Sequence, residues 1–253
     1  MFNEKVVLVT GAASGIGLAL SEMFVKEKAL VMMIDINEEK LKEESDRLGA
    51  NYFVADLSKR VGNKSAVDAT VEKLGGLDIL INVAGVQTVA PIEDFPEDRW
   101  DFIINLMLTS PFLLTKYAWP HMKAKGWGRI VNLNSVHGQV ASEFKSAYVS
   151  AKHGLTGLTK VAGLEGGPQG ITVNSVHPSY VKTPLVDNQI ADQAKTHGIS
   201  EEEVISKIML QKAAIKRLLD PADVAGIVRF LCSEEASSIT ASQFNIDGGW
   251  VAG

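Results

Sequence analysis

Along this chain, short apolar runs alternate with longer stretches in which apolar residues return every three or four positions. The runs predict strands at residues 5–10, 30–34, 51–55, 79–83, 128–134, 171–176 and 243–246. The longer stretches predict helices at 15–28, 37–48, 65–74, 96–125, 146–165 and 221–233. Near-continuous apolar strands on this rhythm are expected of a parallel sheet buried on both faces by helices. The expected architecture is a single α/β domain over residues 1–253, with a doubly wound, seven-stranded parallel sheet. One stretch breaks the rhythm: residues 180–219 hold no strand, only polar helical patterns around 185–197 and 200–212. An insertion of that length, following the carboxyl end of a strand, is expected to act as a lid or binding element.

The first strand runs directly into Gly11-Ala12-Ala13-Ser14-Gly15-Ile16-Gly17 and then a helix. A glycine-rich turn in that setting lets the backbone approach a pyrophosphate, which N–H groups and the helix dipole stabilise. Asp35 ends the second strand, where a carboxylate can accept both ribose hydroxyls and would repel a 2′-phosphate. Ile36 and Asn37 follow it, with no basic residue there or in the glycine turn, which favours NAD over NADP. Asn37, before Glu38-Glu39, is the more natural helix cap. Asp56 with Leu57 could meet an adenine or cap the next helix. Asn82-Val83-Ala84-Gly85 could admit the adenosine ribose or form a simple turn.

Tyr148 and Lys152 lie one helical turn apart on a common face. A lysine charge beside a phenol is expected to lower its pKa and make it a general acid/base near neutrality. Ser135, after the apolar run ending at Leu133, could offer a hydroxyl to the same substrate oxygen.

Acids and bases are interspersed around a formal charge of −5, so no nucleic-acid surface is suggested. Cys232 is the only cysteine, within an apolar helical pattern, and reads as a buried small hydrophobe. No cluster has metal-ligand spacing. No apolar run reaches membrane-spanning length and the N-terminus carries no signal pattern, so a soluble, cytoplasmic protein is expected.

Together, Thr10-Gly11-x-x-x-Gly15-Ile16-Gly17, Asn82-x-Ala84-Gly85, Asn105, Ser135, Tyr148-x-x-x-Lys152 and Asn174-x-x-x-Pro178 resemble the short-chain dehydrogenase/reductase family over essentially the whole chain. The resemblance implies an NAD(P)-binding Rossmann domain and an oxidoreductase. In it Tyr148 is the acid/base, Ser135 bonds the reacting oxygen, and Lys152 binds the nicotinamide ribose and lowers the Tyr148 pKa. Asn105 supports a water relay, a role that only the resemblance assigns. It also implies that Gly11, Ser14, Gly15, Ile16, Gly17, Asp35, Asp56, Leu57, Asn82, Ala84, Gly85 and Pro178 line the cofactor, while Val181 and Thr183 hold its carboxamide.

A narrower likeness, carried by Ser135-Val136-His137-Gly138, Lys145-Ser146-Ala147-Tyr148, Thr183-Pro184-Leu185-Val186 and Asp247-Gly248-Gly249-Trp250, is to the subgroup that interconverts (R)-3-hydroxybutyrate and acetoacetate. By it Gln87, His137, Lys145 and Gln189 grip a substrate carboxylate. Charge-assisted donors suit such an anion. The chain departs from the pattern at Ser179, where the family has glycine, at Tyr180, where the subgroup has tryptophan, and at Val83, where the family has asparagine. The resemblance implies a homotetramer.

Overall fold

Val6–Thr10 forms strand β1, and its alternation sorts side chains between two cores: Val7 and Val9 to one face, Val6 and Leu8 to the other. The computed structural model describes residues 1–252 and, at 185, 188, 192, 196 and 197, the backbone alone. Gly253 and the Leu185 side chain of the Thr183–Val186 motif therefore lie outside the described residues.

The strands after β1 are β2 (Leu30–Asp35), β3 (Asn51–Val54), β4 (Ile79–Asn82), β5 (Gly128–Leu133), β6 (Ile171–Pro178) and β7 (Gln243–Ile246). They form one all-parallel sheet in the order β3-β2-β1-β4-β5-β6-β7. On one face, Leu20 and Phe24 of α1 (Gly15–Lys26) and Val224, Val228 and Leu231 of α9 (Pro221–Cys232) pack on Val7, Val9, Met33 and Val131. On the other, Ala66 and Val67 of α3 (Arg60–Leu74) and Leu114, Ala118 and Met122 of α5 (Ser110–Lys125) pack on Leu8, Met32, Leu80 and Ile130. Full burial of side chains this size contributes roughly 1.5–3 kcal/mol each. Cys232 is buried in the first core with its thiol pushed up to about 12 by desolvation, as its apolar setting suggested.

Strand order reverses between β1 and β4, so the connections leaving them diverge and open a crevice at the carboxyl ends of the strands. Every candidate strand is present. Three helices differ from expectation. Helix α3 begins at Arg60, because Asn63 is buried and its amide donates to the Leu57 and Lys59 carbonyls, closing a turn its polarity conceals. The single helix expected at 96–125 is α4 (Glu97–Ile104), a π-turn over Asn105–Thr109, and α5. In the insertion, α7 (Pro184–His197) is followed by α8 (Glu201–Val204), opened by a Ser200/Glu203 capping box, and a second π-turn ending at Met209. The insertion's two ends are tied together: Lys182 N–H donates to Leu219 O at 2.8 Å, and Leu219 N–H to Tyr180 O at 2.9 Å. Among the described residues no helix is long and apolar enough to cross a membrane.

Candidate active site

Two adjoining cavities occupy the crevice. The larger, about 350 Å3, is lined by Gly11, Ser14, Gly15, Ile16, Gly17, Asp35, Asp56, Leu57, Ala84, Gly85 and Thr183, among others. Most of the residues expected to meet a dinucleotide are thus brought together. Gly17 is required by contact: a Cβ there would lie 2.1 Å from the Gly11 carbonyl oxygen. The Asp35 carboxylate accepts the Ala13 N–H at 3.1 Å and the Asn37 N–H at 3.0 Å, so β2 is tied to the glycine turn. Asn37, as expected, caps the next helix (Glu38–Leu48) by accepting from Lys40 N–H. Asp56 accepts from Ser58 through both its N–H and hydroxyl. Asn82 is different. It is buried below the cavity and donates to Asn132 Oδ1 at 2.8 Å, because its side chain turns toward β5. The cradle at Gly17 and the acid at the end of β2 fit a nicotinamide dinucleotide.

The smaller cavity, about 140 Å3, brings together Gln87, Ser135, His137, Lys145, Tyr148, Lys152, Pro178, Val181, Thr183 and Gln189. Every residue expected at the substrate lines it. Ser135 follows β5 in extended conformation, and its hydroxyl accepts the His137 N–H at 3.2 Å. Asn134 beside it acts as a bracket. Its Oδ1 accepts the Ser135 N–H at 2.9 Å, while its Nδ2 donates to the Lys152 carbonyl at 3.1 Å and to Thr156 Oγ1 at 3.0 Å. The strand that carries Ser135 is thereby fixed to α6 (Ser146–Gly166), the helix that carries Tyr148 and Lys152.

Burial acts on both Tyr148 and Lys152. Burial holds the Tyr148 phenol above its ordinary value, and a hydrogen bond with Ser135 opposes this. The Lys152 ammonium lies 5.7 Å from the Tyr148 ring centroid, donates to the Leu133 carbonyl at 2.6 Å, and is itself brought down to about 7 by desolvation. Burial also lowers Lys145 from its usual value.

Two other residues sit differently from expectation. Asn105 is exposed and does not line either cavity. Met107 lines the catalytic one instead, 1% exposed and packed with Ala147, Ala151 and Tyr148. Two residues apart on a helix project about 200° apart, so one or the other can face the cleft. His137 is buried, with its ring between Tyr148 and Trp250. Its Nδ1 lies 3.3 Å from Ser135 Oγ and its Nε2 2.8 Å from Ser142 Oγ, so both nitrogens already have protein partners. Desolvation brings it down to about 4. Ser179 has no positive φ, which explains why serine is accommodated there. Val83 lines both cavities. Asn134 and Met107 were not legible as site residues: one reads as a strand end and the other as helix core.

A glycine-turned dinucleotide crevice opening onto a buried Ser and Lys and a half-buried Tyr defines an oxidoreductase. A family model described as enoyl-(acyl carrier protein) reductase matches residues 11–251. D-beta-hydroxybutyrate dehydrogenase of Rhizobium meliloti is 43% identical, over 98% of this chain and 99% of its own. The protein of the same name from Cupriavidus necator is 41% identical over the whole of both chains. A solved actinorhodin polyketide ketoreductase with NADPH superposes with a TM-score of 0.93 at 32% identity, covering 99% of each chain. The chain belongs to the short-chain dehydrogenase/reductase family.

Proposed function

We propose that this chain is an NAD-dependent dehydrogenase interconverting (R)-3-hydroxybutyrate and acetoacetate. The observation that carries the reading is the convergence of Lys145, Gln87 and Gln189 on the cavity that holds Ser135 and Tyr148. Three donors of that kind suit a carboxylate, and the lysine adds charge assistance. The two relatives named above support the same substrate.

The choice of NAD rests on Asp35, which lines the larger cavity, whereas no lysine or arginine does so among the described residues. A 2′-phosphate would meet that carboxylate uncompensated. When bound, the nicotinamide supplies the hydride acceptor or donor.

The chain's own residues do the rest. Ser135 orients the reacting oxygen. In reduction the Tyr148 phenol, kept protonated by its burial, donates its proton to the carbonyl oxygen. In oxidation the phenolate, which the Lys152 charge one helical turn away favours, takes the hydroxyl proton. Lys145, Gln87 and Gln189 hold the carboxylate; His137 shapes the wall and contacts Ser135, its ring nitrogens being engaged. Val181 and Thr183 lie where they could hold a carboxamide, and the insertion they begin carries Gln189 over the cavity.

The test is NAD and NADP reduction at 340 nm with (R)-3-hydroxybutyrate, a 3-hydroxyacyl thioester and a simple secondary alcohol. Preference for NAD and the hydroxy acid is expected. Preference for the thioester or alcohol would instead make the chain a family member with another substrate.

A further inference from the structure

A buried histidine outside the cavities, His177, is bound to the backbone of Ser135. It lies on β6, fully buried, one residue before Pro178. Its Nδ1 is 2.8 Å from the Ser135 carbonyl oxygen and its Nε2 is 2.8 Å from Ser175 Oγ. A carbonyl only accepts, so Nδ1 carries the proton; the neutral ring then accepts the Ser175 hydroxyl at Nε2. Burial keeps this ring neutral, bringing it down to about 4 with the nearby Lys152 charge acting in the same direction.

We propose that His177 is a positioning residue for Ser135, setting where its hydroxyl meets the substrate oxygen. Four ties converge on one residue. Asn134 Oδ1 holds the Ser135 amide, His177 and the Gly138 N–H share its carbonyl, and the His137 N–H holds its hydroxyl. The His177 tie is the one that crosses to β6, the strand leading into Pro178, Tyr180 and the insertion. Asn134 ties the same residue to α6. Ser135 is thus held against both the acid/base helix and the strand that enters the lid-like segment. The ring touches neither cavity, so its effect on turnover passes through Ser135. The inference rests on the dehydrogenase reading, in which Ser135 meets the reacting oxygen.

The test compares His177→Leu with His177→Asn, whose amide nitrogen falls near the place of Nδ1. Turnover, KM for (R)-3-hydroxybutyrate and NADH affinity by fluorescence are measured for each. The leucine variant is expected to lose about ten- to hundredfold in kcat, the scale of a displaced catalytic group, with KM and NADH affinity within about twofold. The asparagine variant should recover most of the loss. Equal turnover in wild type and leucine variant would overturn the proposal, as would equal losses in both variants or a fall confined to KM or NADH binding. If the leucine variant does not fold, His177→Gln, whose donor falls on the Ser175 side, replaces it under the same criteria. A wild-type enzyme that turns over no hydroxy acid would refute the dehydrogenase reading itself and is a separate outcome.

Discussion

Replacing Lys145 with methionine should separate recognition of the substrate's carboxylate from the chemistry at its hydroxyl. Lys145 sits immediately before α6, lines the catalytic cavity and is partly desolvated. A hydrogen bond to a charged group contributes about 1.5–3 kcal/mol, or roughly 10- to 150-fold at 1.4 kcal/mol per decade. Gln87 and Gln189 remain, so the expected rise in KM for (R)-3-hydroxybutyrate lies in the lower half of that range, about 10- to 30-fold. The lysine holds the carboxylate equally in ground and transition states, so kcat should change by less than about threefold. Burial lowers the Lys145 pKa, so the ammonium is lost at a lower pH than an exposed lysine's. KM of the wild type should therefore climb on the alkaline side, while KM of the methionine variant stays flat. The assay is initial-rate NADH formation across pH, with 2-butanol as a substrate that has no carboxylate. Equal losses for 2-butanol and the hydroxy acid, or an unchanged KM for the latter, would refute the reasoning.

Asn105→Ala should leave kcat within about twofold, as for other exposed substitutions; a tenfold fall would restore the relay role that the family resemblance implies. Gly138→Ala places a Cβ 2.4 Å from Asn134 Oδ1 and must disturb the bracket between Ser135 and α6. A loss of about 1–3 kcal/mol is expected, at roughly 2–4 °C in Tm per kcal/mol, together with lower kcat; unchanged melting and turnover would contradict the bracket. His137 and His177 are each depressed from 6.5 to about 4 in the folded protein. Below 6.5 the unfolded chain therefore binds protons that the folded one does not, and stability falls as pH drops from 6.5 toward 4. The loss is at most about 3 kcal/mol per histidine. Urea unfolding between pH 7 and 4 should show it, and a flat profile would count against both assignments.

The strands were legible because a parallel strand covered on both faces is apolar along most of its length, as Val6 to Val9 and Ile79 to Ile81 are. The glycine turn was legible because Gly17 has no room for a side chain. What escaped the sequence depends on orientation and burial. In the run Ile104-Asn105-Leu106-Met107, only the family resemblance assigns the asparagine to the site. A helix rotates by about 100° per residue, however, and the one that contains the π-turn presents Met107 instead. Spacing placed Tyr148 and Lys152 on one face but could not weigh desolvation against charge, and burial dominates at both. His137 was rightly placed at the cavity, yet its ring nitrogens are turned to two serines. His177 carried no signal at all, since it lies just past the predicted strand at 171–176 and before Pro178, and only the longer β6 buries it.

The measurement that bears most directly on the central claim uses (R)-3-hydroxybutyrate deuterated at C3, with NAD, and mass analysis of the nicotinamide product. The account predicts deuterium in NADH, little turnover of the (S) isomer, and loss of the reaction in Tyr148→Phe. NADH that forms without label, or turnover that the Tyr148→Phe variant retains, would contradict it.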